Sequence, residues 1–381
     1  MTRARPERAA LPAVLVGALS LACAACGSTR SAAPRTAAKV APKLPPAVVA
    51  YVTLVGTGSS LGLGDKVDVV DLSAASAHER STLVRVGTFP DAVAMSPDGA
   101  TAYVTNYASD TLTPIDVATG RALPPIPAGP GPAGVAIAPD GATAYVTDAG
   151  SSPLGHTVMP IDLATRRDGT PIPVGAGPQG IVITPNGQMA YVADAGAIVA
   201  GQSGAVGDTV TPVDLVTGKA LPPIHVGNAP TAVAVSPDGA TVYVANSSSG
   251  SVTPISVVAG TAGTPVGVDG SPQALAFAPG DSSTLYVASA PSAVAPGDTV
   301  TPVSVTTGTA GPPVKVCKVP AGLAIHGSTA WVSCAGSGAL VPLDLATRAV
   351  GPAIAVPGGP YAVAITTRAQ AQGAQRARPK R

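Results

Sequence analysis

The hydrophobic and polar positions of this chain repeat one short phrase, clearest in Pro90–Asp116. Ala92-Val93-Ala94-Met95 is a brief apolar run, and Ser96-Pro97-Asp98-Gly99 ends it. Proline suits the early position of a tight turn and glycine tolerates the positive φ that follows, so a turn is predicted there. Ala102-Tyr103-Val104-Thr105 is a second run of good strand formers. A polar stretch, Asn106–Asp110, leads to a third run, Thr111–Val117, and a second turn at Ala118-Thr119-Gly120. Leu123–Ala128 is predicted as a fourth strand, rich in proline and therefore assigned to an outer edge. Four short antiparallel strands in about forty residues describe one blade of a β-propeller.

The phrase returns from Pro132, Pro178 and Pro230, and in weaker form from Pro272 and Pro320. The aromatic of the second strand recurs at Tyr51, Tyr103, Tyr145, Tyr191, Tyr243, Tyr286 and Trp331. The first strand recurs after Pro90, Pro132, Pro178, Pro230, Pro272, Pro320 and Pro360. The two series are offset. The chain starts with a second strand, Val48–Leu54, and finishes with a lone first strand, Tyr361–Thr366. Pairing these two would close the ring and remove an unpaired edge. An all-β fold is predicted: a seven-bladed propeller of four-stranded antiparallel blades, closed by the C-terminal strand on the N-terminal strands.

The strings YVTN, YVTD, YVAD and YVAN, which follow SPDG, APDG or TPNG and precede TVTPVDL-type strands, resemble those of YVTN-family seven-bladed propellers of prokaryotic surface proteins. The resemblance covers roughly residues 48–366. It implies the fold and leaves the activity open, because functions are grafted onto folds site by site. One departure stands out. The third strands carry Pro114, Pro160, Pro212, Pro254, Pro302 and Pro342, and a bulge or missing bond is expected at each.

Residues 1–26 read as an export signal. Arg3, Arg5 and Arg8 precede an apolar stretch, Leu11–Ala22, too short for a typical span. Small residues then lead to Cys26-Gly27-Ser28, which resembles a bacterial lipoprotein signal with Cys26 as the lipidated residue; Cys23 is the alternative. Residues 27–46 read as a disordered tether, 47–367 as the propeller and 368–381 as a basic tail. This chain is therefore expected outside the cytoplasmic membrane, held by a lipid anchor.

The formal charge of +1 hides a polarity. Residues 1–46 and 368–381 hold twelve of the twenty-two Lys and Arg, whereas the propeller keeps ten against twenty acids. An acidic body lacks the basic face that nucleic acid requires, so no nucleic-acid partner is expected. In the propeller only Cys317 and Cys334 remain. Both fall on connections to the same face, and export favours a disulfide between them over a thiol pair or metal site.

Candidate chemistry is sparse. Asp71, Asp116, Asp162, Asp214 and Asp344 recur at third-strand ends, where Asx turns are common. The residues after the lead prolines are more informative, because they break the repeat near the channel mouth. Asp91, Gln179, Thr231, Gln273 and Tyr361 are predicted to form a polar ring there. Three long loops end in Gly-Asp, at Asp65, Asp208 and Asp298, and share that face. No resident cofactor is expected; a divalent cation on those three aspartates is the one metal reading. The expected function is a surface-anchored, monomeric scaffold that binds a cell-envelope protein or small ligand through this face. The alternative is an extracytoplasmic lactonase-, lyase- or dehydrogenase-like enzyme. It requires Asp91, Asp148, Asp194 or a loop aspartate to converge with a histidine or metal at the channel mouth. Propeller lactonases and lyases, which resemble this fold, use clustered His, Glu or Asp there, and the sequence shows no such motif.

Overall fold

The computed structural model describes residues 47–56, 64–73, 81–150, 155–196, 206–292, 295 and 297–368. The proposed signal, the tether and all of the tail beyond Arg368 lie outside these residues, as does Cys26. Among the described residues every regular element is a strand, and the strands form seven antiparallel sheets around a ring.

Blade 1 runs inside to outside as Pro90–Met95, Thr101–Asn106 and Thr111–Asp116, with Arg121–Ala122 at the rim. Blades 2 to 6 repeat this order from Pro132, Pro178, Pro230, Ser271 and Pro320. Blade 7 joins the two ends of the propeller. Its innermost strand is Pro360–Thr367, paired antiparallel with Val48–Leu54, and Lys66–Asp71 and Ser81–Arg85 lie outside. The predicted closure is therefore present. Arg368 follows directly, and its N–H donates to the Ala47 carbonyl at 2.9 Å.

Each blade has two apolar faces, and seven apolar clusters fill the seven gaps between neighbours. Tyr51 and Val67 of blade 7 pack with Val104 and Ile115 of blade 1. Val300 of blade 5 packs with Val332 and Val341 of blade 6. The turns behave as their residues dictate. Gly99 takes φ 65°, and its N–H donates to the Ser96 carbonyl at 2.8 Å. The third-strand aspartates accept backbone N–H groups two and three residues on, as at Asp162 and Asp344. These bonds hold both carboxyls below the usual carboxylate range.

The third-strand prolines have a clear consequence. Their pairing with the second strand is unbroken, as in Tyr103↔Pro114 and Tyr243↔Pro254. The Pro114 carbonyl instead accepts from Leu123 N–H at 2.7 Å, so the nitrogen of Pro114 also faces outward. With no hydrogen to donate, the ladder to the fourth strand fails beyond that point. The continuous fourth strand predicted at Leu123–Ala128 is therefore corrected: it is two short pieces, Arg121–Ala122 and Ile126–Pro127. Blade 7 is the internal control. Val69 stands at the proline position, and the fourth strand Ser81–Arg85 pairs without a break.

The repeat also carries a lock between the end of the second strand and the connection entering the blade. In blade 1 the Asn106 Oδ1 accepts Gly87 N–H at 3.0 Å, and its Nδ2 donates to the Thr113 hydroxyl at 2.9 Å. Aspartate takes the same place in blades 2 and 3. Asp148 accepts from Thr157 and Asp194 from Thr211, each at 2.6 Å. Glycine must sit opposite, because a Cβ on Gly175 would lie 2.4 Å from Asp194 Cγ. In blade 6 the two partners of this lock are Cys317 and Cys334, joined in a disulfide with Cα atoms 6.0 Å apart. This covalent version sits beside Val319, a β-branched residue held at φ 52°, where backbone strain of about 1–3 kcal/mol is expected.

Two stability tests follow from the lock. Burial raises the Asp194 carboxyl from 3.8 to about 6. A carboxyl raised in the folded state costs nothing below its ordinary value, costs progressively more between about pH 4 and 6, and costs a constant amount above. Asp194→Asn, the residue used in blades 1 and 4, is expected to stabilise the protein at pH 8 by on the order of 1–3 kcal/mol. The gain should vanish below pH 4; urea unfolding at the two pH values reads both outcomes, and a variant weaker at pH 8 contradicts the account. For the disulfide, the separation of 17 residues implies about 3 kcal/mol. Reductant should lower the urea midpoint of the wild type and leave that of Cys334→Ser unmoved.

Candidate functional site

The site begins with a fault in the ladder. In every blade the register between first and second strand slips just after the lead proline: Pro90 pairs with Asn106, and the next partners are Val93 and Val104. The same slip follows Pro132, Pro178, Pro230, Pro272, Pro320 and Pro360. A residue left out of the ladder by such a bulge can be aimed away from the sheet. Here seven such residues are aimed into one space.

Asp91, Gln179, Thr231, Gln273 and Tyr361, all predicted from sequence, line a single channel cavity of about 480 Å³. Ala133 and Ala321 complete the ring, and Ser247 joins from a loop of blade 4. The polar ring expected at the mouth is thus brought together, with two gaps of small residues in blades 2 and 6.

Hydroxyls that the sequence did not single out hold much of this ring. Thr105 accepts Ala92 N–H at 2.9 Å within blade 1 and donates to the Ala133 carbonyl of blade 2 at 2.6 Å. Thr147 does the same between Gly134 N–H and the Gln179 carbonyl, at 2.7 and 2.8 Å. Thr53 accepts Ala362 N–H at 2.9 Å and donates to the Asp91 carbonyl at 3.2 Å. Ser333 donates to the Tyr361 carbonyl. The three threonines satisfy the bulge's own N–H, and all four hydroxyls fix the ring residue of the next blade. The signal is present in the repeat: the second residue after the strand aromatic is a hydroxyl in blades 1, 2, 6 and 7 and Ala193, Ala245 or Ala288 in blades 3 to 5. The Gln273 amide is held separately, donating to the Ser271 hydroxyl at 2.9 Å.

The electrostatics of the cavity centre on blades 7 and 1. Asp91 is half-buried by solvent contact, yet that contact is with the channel interior, where protein surrounds the carboxyl. Burial accordingly pushes it up from 3.8 to about 7. Tyr361 retains 39% exposure and lines the same channel. Its phenol is pushed above the ordinary tyrosine value, first by the negative charge of Asp91 and second by burial. The described lining residues that titrate are these two.

Other candidates lie elsewhere. Asp148 and Asp194 do not line the channel; they are buried in their blades against Gly129 and Gly175. Asp65, Asp208 and Asp298 belong to blades 7, 3 and 5, and the structure does not gather them. Asp65 pairs with Arg85 Nε at 2.7 Å and Asp208 with His225 Nδ1 at 3.2 Å. Asp298 accepts Val319 N–H at 2.8 Å, as Asp110 accepts Gly131 N–H at 2.9 Å in blade 1. Asp65 and Asp208 thus tie to fourth-strand residues of their own blades, and Asp298 to the connection entering blade 6. Among the described residues no three His, Cys, Asp or Glu side chains form a metal-sized group.

No family model matches the chain, and no curated protein matches it. Solved structures do resemble it. A protein of unknown function from Desulfotomaculum acetoxidans is 17% identical, with 83% of this chain and 98% of that one covered at a TM-score of 0.65. A Bacteroides uniformis protein provisionally assigned as a 6-phosphogluconolactonase is also 17% identical, with 84% and 99% covered at 0.65. Hydrazine synthase of Kuenenia stuttgartiensis is 19% identical, with 73% and 95% covered at 0.63. At these identities the likeness is one of fold, and this chain is a seven-bladed β-propeller.

Proposed function

We propose that this protein is a YVTN-type binding propeller of the cell envelope, anchored through a lipid on Cys26, that takes a small ligand at its channel mouth. The observation that carries the binding site is the sevenfold bulge. Seven blades spend a ladder position each to aim side chains into one cavity of about 480 Å³, within the size range of small-molecule sites. Folding alone does not require polar residues at five of those seven positions. The anchor rests on the charged start, the short apolar stretch and the Ala-Cys-Gly-Ser sequence at residues 25–28.

Both halves are open to test. Saturation-transfer NMR on the purified protein, with monosaccharides, amino acids and small amines as probes, should reveal binding to the wild type. Ala321→Trp, which fills the mouth from blade 6, should abolish it while leaving the melting temperature within a few degrees. Binding that survives in Ala321→Trp, or no binding by any probe, contradicts the channel as the site. For the anchor, cells fed labelled palmitate should incorporate label into the wild type and none into Cys26→Ala. Equal labelling of the two would reject Cys26 as the modified residue.

A further inference from the structure

We infer that the channel mouth is built for a small organic monocation, a protonated amine carrying hydroxyl or amide groups, whose ammonium sits at Asp91 beside Tyr361. This deepens the binding reading and rests on it.

The first argument is charge. Asp91 is the one acidic residue lining the cavity, and no Lys, Arg or His lines it among the described residues. The residues between second and third strands that lie outside the described ones, 57–63, 151–154, 197–205, 293–294 and 296, include no charged residue. The Asp91 carboxyl has no side-chain hydrogen-bond partner among the described residues. A carboxylate enclosed without a counter-charge is costly, and a bound cation offsets that cost directly.

The second argument is the neighbourhood. The strands packed against Pro90–Met95 are Val48–Leu54, Thr101–Asn106, Pro132–Ile137 and Pro360–Thr367. Their charged or titratable residues are Tyr51, Tyr103 and Tyr361. Tyr361 alone of these lines the channel. Its phenol stays neutral, so it cannot balance Asp91, but its oxygen can accept from an ammonium. Around the rest of the ring, the amides of Gln179 and Gln273 and the hydroxyls of Thr231 and Ser247 offer both donors and acceptors. These groups suit the hydroxyl or amide part of a ligand.

The third argument is exclusion. A divalent metal wants several oxygen ligands and commonly more than one carboxylate, and among the described residues this mouth offers one. An anion would meet the Asp91 charge. A neutral polyol would leave that charge unpaired. An organic monocation satisfies the carboxylate and the neutral ring together.

Matched probes separate the outcomes. Glucamine and sorbitol differ by one ammonium in place of a hydroxyl; gluconate supplies the anion. Titration of the purified full chain should show glucamine bound at least about tenfold more tightly than sorbitol, the worth of one charge-assisted contact. Its affinity should climb as pH rises from 5.5 to 7.5, because Asp91 must ionise. Asp91→Asn should bring glucamine down to the sorbitol level and flatten the pH profile, with a melting temperature no lower than the wild type. Sorbitol or gluconate binding as tightly as glucamine overturns the cation assignment and leaves the channel as a site. A glucamine preference that persists in Asp91→Asn overturns the role of Asp91. Silence from all three probes overturns the assignment as well, and the Ala321→Trp comparison then reports separately on the channel.

Discussion

The pairing of Val48–Leu54 with Pro360–Thr367 is the constraint on which the molecule depends. Each blade has two apolar faces and can bury neither alone. Five of the seven interfaces form between blades that are each continuous in sequence. The other two flank a blade assembled from both ends of the propeller. Loop-closure entropy grows only slowly with length, so a contact spanning more than three hundred residues is affordable when it completes two apolar interfaces at once. On either side of the closing blade lie the clusters of Tyr51 with Val104 and of Val52 with Leu340.

Closure also builds the site. Tyr361 stands on the last strand and Asp91 on the first strand of blade 1, far apart in sequence and adjacent only across the seam. Thr53 is the residue that joins them: it takes the Ala362 N–H of the final strand and gives its proton to the Asp91 carbonyl. The backbone that carries the Asp91 carboxyl is therefore held by the same contacts that close the ring. Bulges aim the side chains and the hydroxyl stitches hold the backbone behind them. A site placed this way sits on rigid strands, while the surface loops around it remain free to vary.

Much of this was legible in the sequence. The offset between seven aromatics and seven lead prolines predicts both the blade number and the closing strand, because propeller geometry leaves one consistent pairing. The residue after each proline is visible as the place where a strict repeat varies. What could not be read was direction. Pro114 and its equivalents are plainly in the third strand, but which neighbour loses the hydrogen bond depends on which way the nitrogen points, and that comes from the register. The same holds for Asp148 and Asp194. Their residue type suits catalysis, yet a second-strand end that meets a glycine in the incoming connection turns them into internal locks. The Cys317–Cys334 pair could be matched by elimination. Its equivalence to the Asn106–Gly87 contact appears only when the blades are superposed by register.

Amide hydrogen exchange on Pro360–Thr367 tests the closure most directly. If the last strand completes blade 7, the backbone amides that pair it with Val48–Leu54 should exchange as slowly as those between second and third strands of the inner blades, through global unfolding alone. Fast exchange confined to the last strand, with the other blades protected, would mean an open ring. It would also remove the physical reason for Asp91 and Tyr361 to share one site.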